Sequence, residues 1–139
     1  MNSYLVYVSK RAASCTDDEI QNILNACERN NTHSDATGVL LYSDKKFIQY
    51  LEGDYRKITS LYDKIKTDSR HEDVILIQMG QTSDRLFPSW QMGAKRIDEN
   101  EVDFHGTLDT AEAGRFRDIL NGKVQTDHKS VDVIRKFFL

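Results

Sequence analysis

Two stretches of this 139-residue chain repeat one spacing, and that repeat constrains the fold more than any other feature. Ile20, Ile23, Leu24 and Cys27 recur at i, i+3, i+4 and i+7, and Ile58, Leu61, Tyr62 and Ile65 do the same. Each set marks the apolar face of an amphipathic helix. Runs rich in β-branched and aromatic residues surround them: residues 4–9 before the first, 37–42 and 47–51 between the two, 74–77 after the second, and 90–97 last. The order β-α-β-β-α-β-β contains βαββαβ, the α+β ferredoxin-like arrangement, whose sheet carries both helices on one face.

Local signals agree with this order. Thr16 and Glu19 have the spacing of a capping box, with Asp17 and Asp18 in the first turn. That helix is expected to end near Asn30-Asn31, since asparagine suits helix termini. Ser43-Asp44-Lys45-Lys46 is short enough for a hairpin, and Gly53-Asp54 opens the second helix. Both faces of the sheet read as apolar. Leu5 and Tyr7 oppose Val6 and Val8, and Phe47 and Leu51 oppose Ile48 and Tyr50. Two helices cover only one face, so something else covers the other. Residues 104–139 offer the candidates. Asp109 and Glu112 cap a helix carrying Phe116, Ile119 and Leu120, stopped by Gly122, and a last helix from about Ser130 carries Ile134, Phe137 and Phe138. This reading makes 1–97 a core and 98–139 an extension packed on its sheet within the same domain, with a partner chain on that face as the alternative.

Totals narrow the function. A net charge of −3 and a pI near 5.8 disfavour a nucleic-acid partner. No apolar run approaches the roughly 20 residues that span a bilayer, and Met1–Tyr7 lacks a secretory signal pattern. Cys15 and Cys27 read as reduced thiols of a cytoplasmic protein. His33, His71, His105 and His128 have no metal-ligand spacing with each other or with the cysteines. No Ser or Cys carries a nucleophile motif, and Ser9-Lys10-Arg11-Ala12-Ala13 is no glycine-rich phosphate loop, so an acylphosphatase-like enzyme on this fold is disfavoured.

Gln49 is the anomaly. Alternation sets it on the face of Phe47 and Leu51, inside a strand that otherwise reads as core. An amide buried there without partners costs about 1–3 kcal/mol, so a polar group must lie beside it. Taken singly, Gln49 reads as a structural amide, Tyr7 as an amphipathic core residue, Trp90 and Met92 as packing, and Asn30-Asn31 as a helix end. Their combination carries more.

In that combination the chain resembles the BLUF family, flavin-binding sensors of blue light. The resemblance rests on Leu5-Val6-Tyr7-Val8-Ser9, Arg29-Asn30-Asn31, Ala36-Thr37-Gly38-Val39-Leu40-Leu41-Tyr42 and Phe47-Ile48-Gln49-Tyr50-Leu51-Glu52-Gly53. It continues through Asp68-Ser69-Arg70-His71 and Phe87-Pro88-Ser89-Trp90-Gln91-Met92, in family order. Ala36 stands where a branched aliphatic is common, and Asp44-Lys45-Lys46 replaces a glycine-containing turn. The resemblance implies FAD, or FMN or riboflavin in its place, held between the two helices against the sheet. It makes Tyr7 the electron and proton donor and Gln49 the bridge to the flavin. Asn31, with Asn30, would hold the C4-carbonyl and N3 side, and Ile23 or Leu24 and Ile65 would press on the ring. Lys64, Asp68, Arg70 and His71 are candidates for the remaining polar edge, ribityl chain and phosphate. Trp90 and Met92 would report the switch. It further implies a homo-oligomer that signals to a downstream protein partner, acting as a photoreceptor and not as an enzyme. The rival reading is a cofactor-free ferredoxin-like module binding protein or RNA, with Tyr50 and Val6 imitating a base-stacking face.

Overall fold

Ten residues, Asn2–Arg11, form β1, an interior strand buried on both faces and flanked by two others. The computed structural model describes residues 2–34, 36–87, 93–98, 108–125 and 129–138, and within these not the side chains of 27, 28 and 30–34. After β1 come α1 (Asp17–Ser34), β2 (Thr37–Tyr42), β3 (Lys46–Gly53), α2 (Tyr55–Lys66), β4 (His71–Thr82), β5 (Gly93–Arg96), α3 (Thr110–Leu120) and α4 (Lys129–Lys136). The sheet order is β4-β1-β3-β2-β5, antiparallel except that β5 runs parallel to β2. This is the expected ferredoxin-like sheet with a fifth strand at its edge.

The helices stand where their signals place them, with differences in length. Asp54 caps α2 by accepting from the Lys57 N–H, and Asp109 and Glu112 form the capping box of α3. Gly122 ends α3 at φ +81°, a conformation open to glycine. α1 continues past Asn31 to Ser34 because asparagine's weak propensity is overridden once a helix is propagating. β4 reaches well beyond residues 74–77 because the ten-residue β1 offers backbone partners along its length, with irregularities after Val6 and after Val8. Phe137 and Phe138 lie in the turn after α4. β5 is described from Gly93, so residues 90–92 of the expected last strand lie outside the described residues.

The inner face of the sheet carries α1 and α2. Ile20 and Ile23 of α1 pack with Leu40 and Phe47, while Ile58 and Tyr62 of α2 pack with Leu5, Tyr7 and Leu51. The outer face is closed by the C-terminal segment: Phe116, Ile119, Leu120, Val131, Val133 and Ile134 share one core with Tyr4, Val6, Val8, Ile48 and Tyr50. Tyr50 and Val6, which an RNA-binding face would display, are fully buried under these helices. Between β2 and β3 the backbones approach so closely that a Cβ at Gly38 would lie 1.9 Å from the Tyr50 carbonyl oxygen.

Candidate functional site

Tyr7 and Gln49 are direct partners in the register of β1 and β3, and their side chains share the inner face. The phenol donates a hydrogen bond to Gln49 Oε1. Tyr7 is 0% and Gln49 3% exposed, so the amide answers its anomaly with a phenolic partner drawn from 42 residues away. The Tyr7 ring is held by Tyr62 of α2 at 5.7 Å and by the edge of His71 at 6.0 Å between centroids.

Above this pair, between α1 and α2, lies a cleft. It is lined by Ile23 and Ala26 from α1, Gln49 and Leu51 from the sheet, Leu61, Lys64 and Ile65 from α2, and Asp68, Arg70 and His71 at its far end. Its enclosed volume is about 110 Å³. Ile23 and Ile65 set apolar side chains on its two helical walls, and polar groups gather around the floor and one end.

That end is built by a tight turn. The Arg70 guanidinium bonds Asp68 through Nε (2.9 and 3.2 Å) and Nη2 (2.6 Å), and the Arg70 N–H bonds Asp68 Oδ1 at 2.9 Å. The side-chain bond to Arg70 holds the Asp68 carboxyl below its ordinary range despite partial burial. His71, the first residue of β4, is buried with Nδ1 2.8 Å from Ser9 Oγ and its ring 4.7 Å from Phe47. Burial pulls its pKa down to about 4, with Asp68 opposing and Arg70 assisting. At neutral pH His71 is therefore an uncharged imidazole beside the Tyr7–Gln49 pair, able to donate from one nitrogen and accept at the other.

Ile23, Gln49, Lys64, Ile65, Asp68, Arg70 and His71 thus meet in one cleft. Tyr7 stands behind Gln49 and beside His71, both of which line the cleft. Leu24 packs instead against the cluster of Ala12, Ile20, Leu40 and Phe47. Asn30 and Asn31 lie in the last turns of α1, and their side chains, like Trp90 and Met92, lie outside the described residues. Sequence reasoning missed Ala26, Leu51 and Leu61 in the lining, and Ser9 and Tyr62 as supports. The signal for most of them was present: Ala26 is three residues after Ile23, Leu61 four before Ile65, and Ser9 two after Tyr7 on the same strand face.

Comparison with known proteins gives the cleft a context. Residues 3–93 match the profile of BLUF, described as sensors of blue light using FAD. A photoactivated adenylate cyclase subunit beta from Euglena longa is 33% identical over 85 residues, which are 61% of this chain and 10% of that protein. The chain therefore spans about a tenth of that relative's length. Among solved structures, a bacterial light-regulated adenylyl cyclase superposes with a TM-score of 0.67 at 38% identity, over 69% of this chain and 28% of the other. The dark state of BlrB, a BLUF protein, superposes with a TM-score of 0.69 at 27% identity, over 82% of this chain and 92% of its own. With its ferredoxin-like sheet, its cleft between the two helices and a profile match over most of its length, the chain belongs to the BLUF family of flavin-binding blue-light sensors.

Proposed function

We propose that this chain responds to blue light through the Tyr7–Gln49 pair, with FAD, or FMN or riboflavin, bound in the α1–α2 cleft. The observation that carries the reading is the buried bond from the Tyr7 phenol to Gln49 Oε1 at the floor of that cleft. The lining fits a flavin: Ile23 and Ile65 suit the faces of a flat ring, and Gln49, Asp68, Arg70 and His71 suit its polar edge. Lys64 suits the ribityl chain or phosphate, and Asn31, with Asn30, the C4-carbonyl and N3 side.

A bound flavin would supply blue-light absorption and an acceptor for an electron and a proton. Tyr7 gives both, its phenolic proton leaving along the bond to Gln49. The Gln49 amide has its acceptor and its donor on opposite sides. By rotating half a turn or tautomerising, it reverses the hydrogen-bond polarity toward both Tyr7 and the cleft at nearly constant volume. Neutral His71 and the Asp68–Arg70 pair hold the polar end in place meanwhile. Trp90 and Met92 would report the change, as the family resemblance implies. The output passes to another protein chain, from a sensor module that is not itself an enzyme. We further read the protein as a cytoplasmic homo-oligomer in which 98–139 and the 1–97 core form one domain.

The test is spectroscopic. Flavin-loaded protein should show a small red shift of its absorption under blue light, reversing in the dark. Tyr7→Phe should keep the flavin and lose the shift, and Gln49→Leu should lose it too. A normal shift in Tyr7→Phe removes Tyr7 from the mechanism, and a normal shift in Gln49→Leu refutes the switch.

A further inference from the structure

Three residues beyond Gln49 on the same strand, Glu52 points to the opposite face and is fully buried. Among the described residues it is the one acidic side chain buried from solvent. Four donors converge on its carboxylate, divided evenly between the oxygens. Oε1 accepts from the Phe87 N–H at 2.7 Å and the Thr37 hydroxyl at 3.3 Å. Oε2 accepts from the Leu86 N–H at 3.0 Å and the Tyr50 hydroxyl at 2.9 Å. All four donors are neutral, so the site gains no charge pairing from them to offset desolvation, and an apolar residue would pack against the same core at less cost. What an apolar residue would not do is hold two consecutive backbone N–H groups of another segment.

That segment follows β4 and leads toward β5. Phe87 is itself buried, with its ring 5.8 Å from Tyr50 and 6.0 Å from Phe138, just after α4. Burial, and then the Glu52 charge, push the Tyr50 phenol above its ordinary pKa, so it stays a donor. At the other end of β3, Lys46 Nζ reaches the Leu120 carbonyl at the end of α3, at 2.5 Å. The strand that carries Gln49 on its inner face is thus fastened to the outer cover at both ends.

Taking the photosensor reading above as its premise, we propose that Glu52 is a positioning residue that couples Gln49 to the outer face. Its carboxylate clamps the Leu86–Phe87 backbone to β3, so a change in the Tyr7–Gln49 bond that shifts β3 against β1 is passed to the path toward β5 and to the contacts of Phe138. A fixed pair of N–H groups makes the clamp sensitive to position, because backbone donors cannot turn to follow a displaced acceptor as hydroxyls can.

The experiment measures two things on the full, FAD-loaded chain: the blue-light spectral shift, and amide hydrogen exchange at Leu86 and Phe87 in light and in dark. In the parent, illumination should raise exchange at these amides on the order of tenfold, the effect of weakening one hydrogen bond. Glu52→Gln replaces one acceptor oxygen by an NH2 group, so one of the two backbone donors always loses its partner. This variant should keep the spectral shift but exchange as fast in the dark as in the light. Ser130→Ala removes an outer-face bond to Gln78 away from the clamp and should leave the light-to-dark ratio at its parent value. If Glu52→Gln fails to fold, Tyr50→Phe decides, since it deletes one donor to Oε2 and should lower the ratio part of the way. A parent-like ratio in Glu52→Gln, or in Tyr50→Phe where that variant decides, or an equal loss in Ser130→Ala, overturns the clamp. So does a parent with a normal shift and no change in exchange. A parent with no spectral shift sinks the photosensor reading and the clamp with it.

Discussion

The two faces of the sheet are packed in different ways. On the outer face one apolar cluster runs unbroken from Tyr4 and Val6 through Ile48 and Tyr50 to Phe116, Ile119 and Ile134. On the inner face the apolar residues fall into two clusters, one under α1 around Ile20, Leu40 and Phe47, the other under α2 around Leu5, Tyr7 and Ile58. The cleft opens between α1 and α2, and Gln49 lies on its floor. A small domain can leave one face parted because the other supplies a continuous core. The ionisable groups sort in the same way. Asp68, Arg70 and His71 stand around the parted face, while Glu52 on the closed face is saturated by four hydrogen bonds.

Truncation on each face is the strongest way to break this comparison. Phe116 is fully buried, and its ring lies 4.9 Å from that of Phe137. Phe116→Ala should cost about 3–5 kcal/mol in urea denaturation, the usual penalty for an emptied aromatic site in a closed core. Leu61 lines the cleft and is half-buried. Leu61→Ala should cost only about 1–2 kcal/mol in flavin-free protein, because part of its surface already meets solvent. Equal losses would mean that the inner face is as tightly closed as the outer.

Much of this contrast was legible in the residues. Strand alternation alone assigned Gln49, Phe47 and Leu51 to one face and Ile48 and Tyr50 to the other, and the apolar outer face called for a cover that Phe116, Ile119 and Ile134 supply. Asp109, Glu112 and Gly122 marked the ends of α3 because capping is local chemistry. Long-range pairings were legible only where the family resemblance supplied them, as for Tyr7 with Gln49. Ser9 meets His71 across 62 residues of sequence, and periodicity carries no information about which strand becomes the neighbour of which. Glu52 was hidden for a further reason: its partners are backbone N–H groups, which every residue but proline possesses. Leu24 and Ile23 were indistinguishable because adjacent helical positions differ by about 100°, and only the finished packing turned Ile23 to the cleft.

Acid should act on the parted face first. Burial lowers the His71 pKa to about 4, whereas an unfolded histidine titrates near 6.5. Between these values the unfolded chain binds the proton and the folded chain does not, so stability falls as the pH drops through this window. From pH 6.5 to 5 the His71 contribution should be a loss of about 1.5 kcal/mol. The lowered carboxyls of Asp17, Asp68 and Glu112 act at lower pH. Denaturation midpoints of the parent and of His71→Gln across this range check the expectation, the variant showing a slope smaller by that amount. An unchanged slope would show that the imidazole is charged inside the fold.

The smallest effects give the finest comparison, since one chemical change can be made on each face. Asp54 caps α2, on the inner face, and Asp109 caps α3, on the outer face, each accepting from a first-turn backbone N–H. Asp54→Ala and Asp109→Ala should each cost about 1 kcal/mol, the ordinary value for losing an N-cap. Flavin retention should separate them. α2 carries Leu61, Lys64 and Ile65 on the cleft wall, so loosening its first turn disturbs the wall that a ring would press against. α3 contributes its buried residues to the outer core. Measured by flavin release on dilution, Asp54→Ala should lose the cofactor severalfold faster than the parent, while Asp109→Ala should match the parent despite an equal loss of stability. If the two variants release flavin alike, retention follows global stability and the faces are not independent. If only Asp54→Ala releases it faster, the cleft is maintained by its own helix, and the outer core supports the fold without shaping the site.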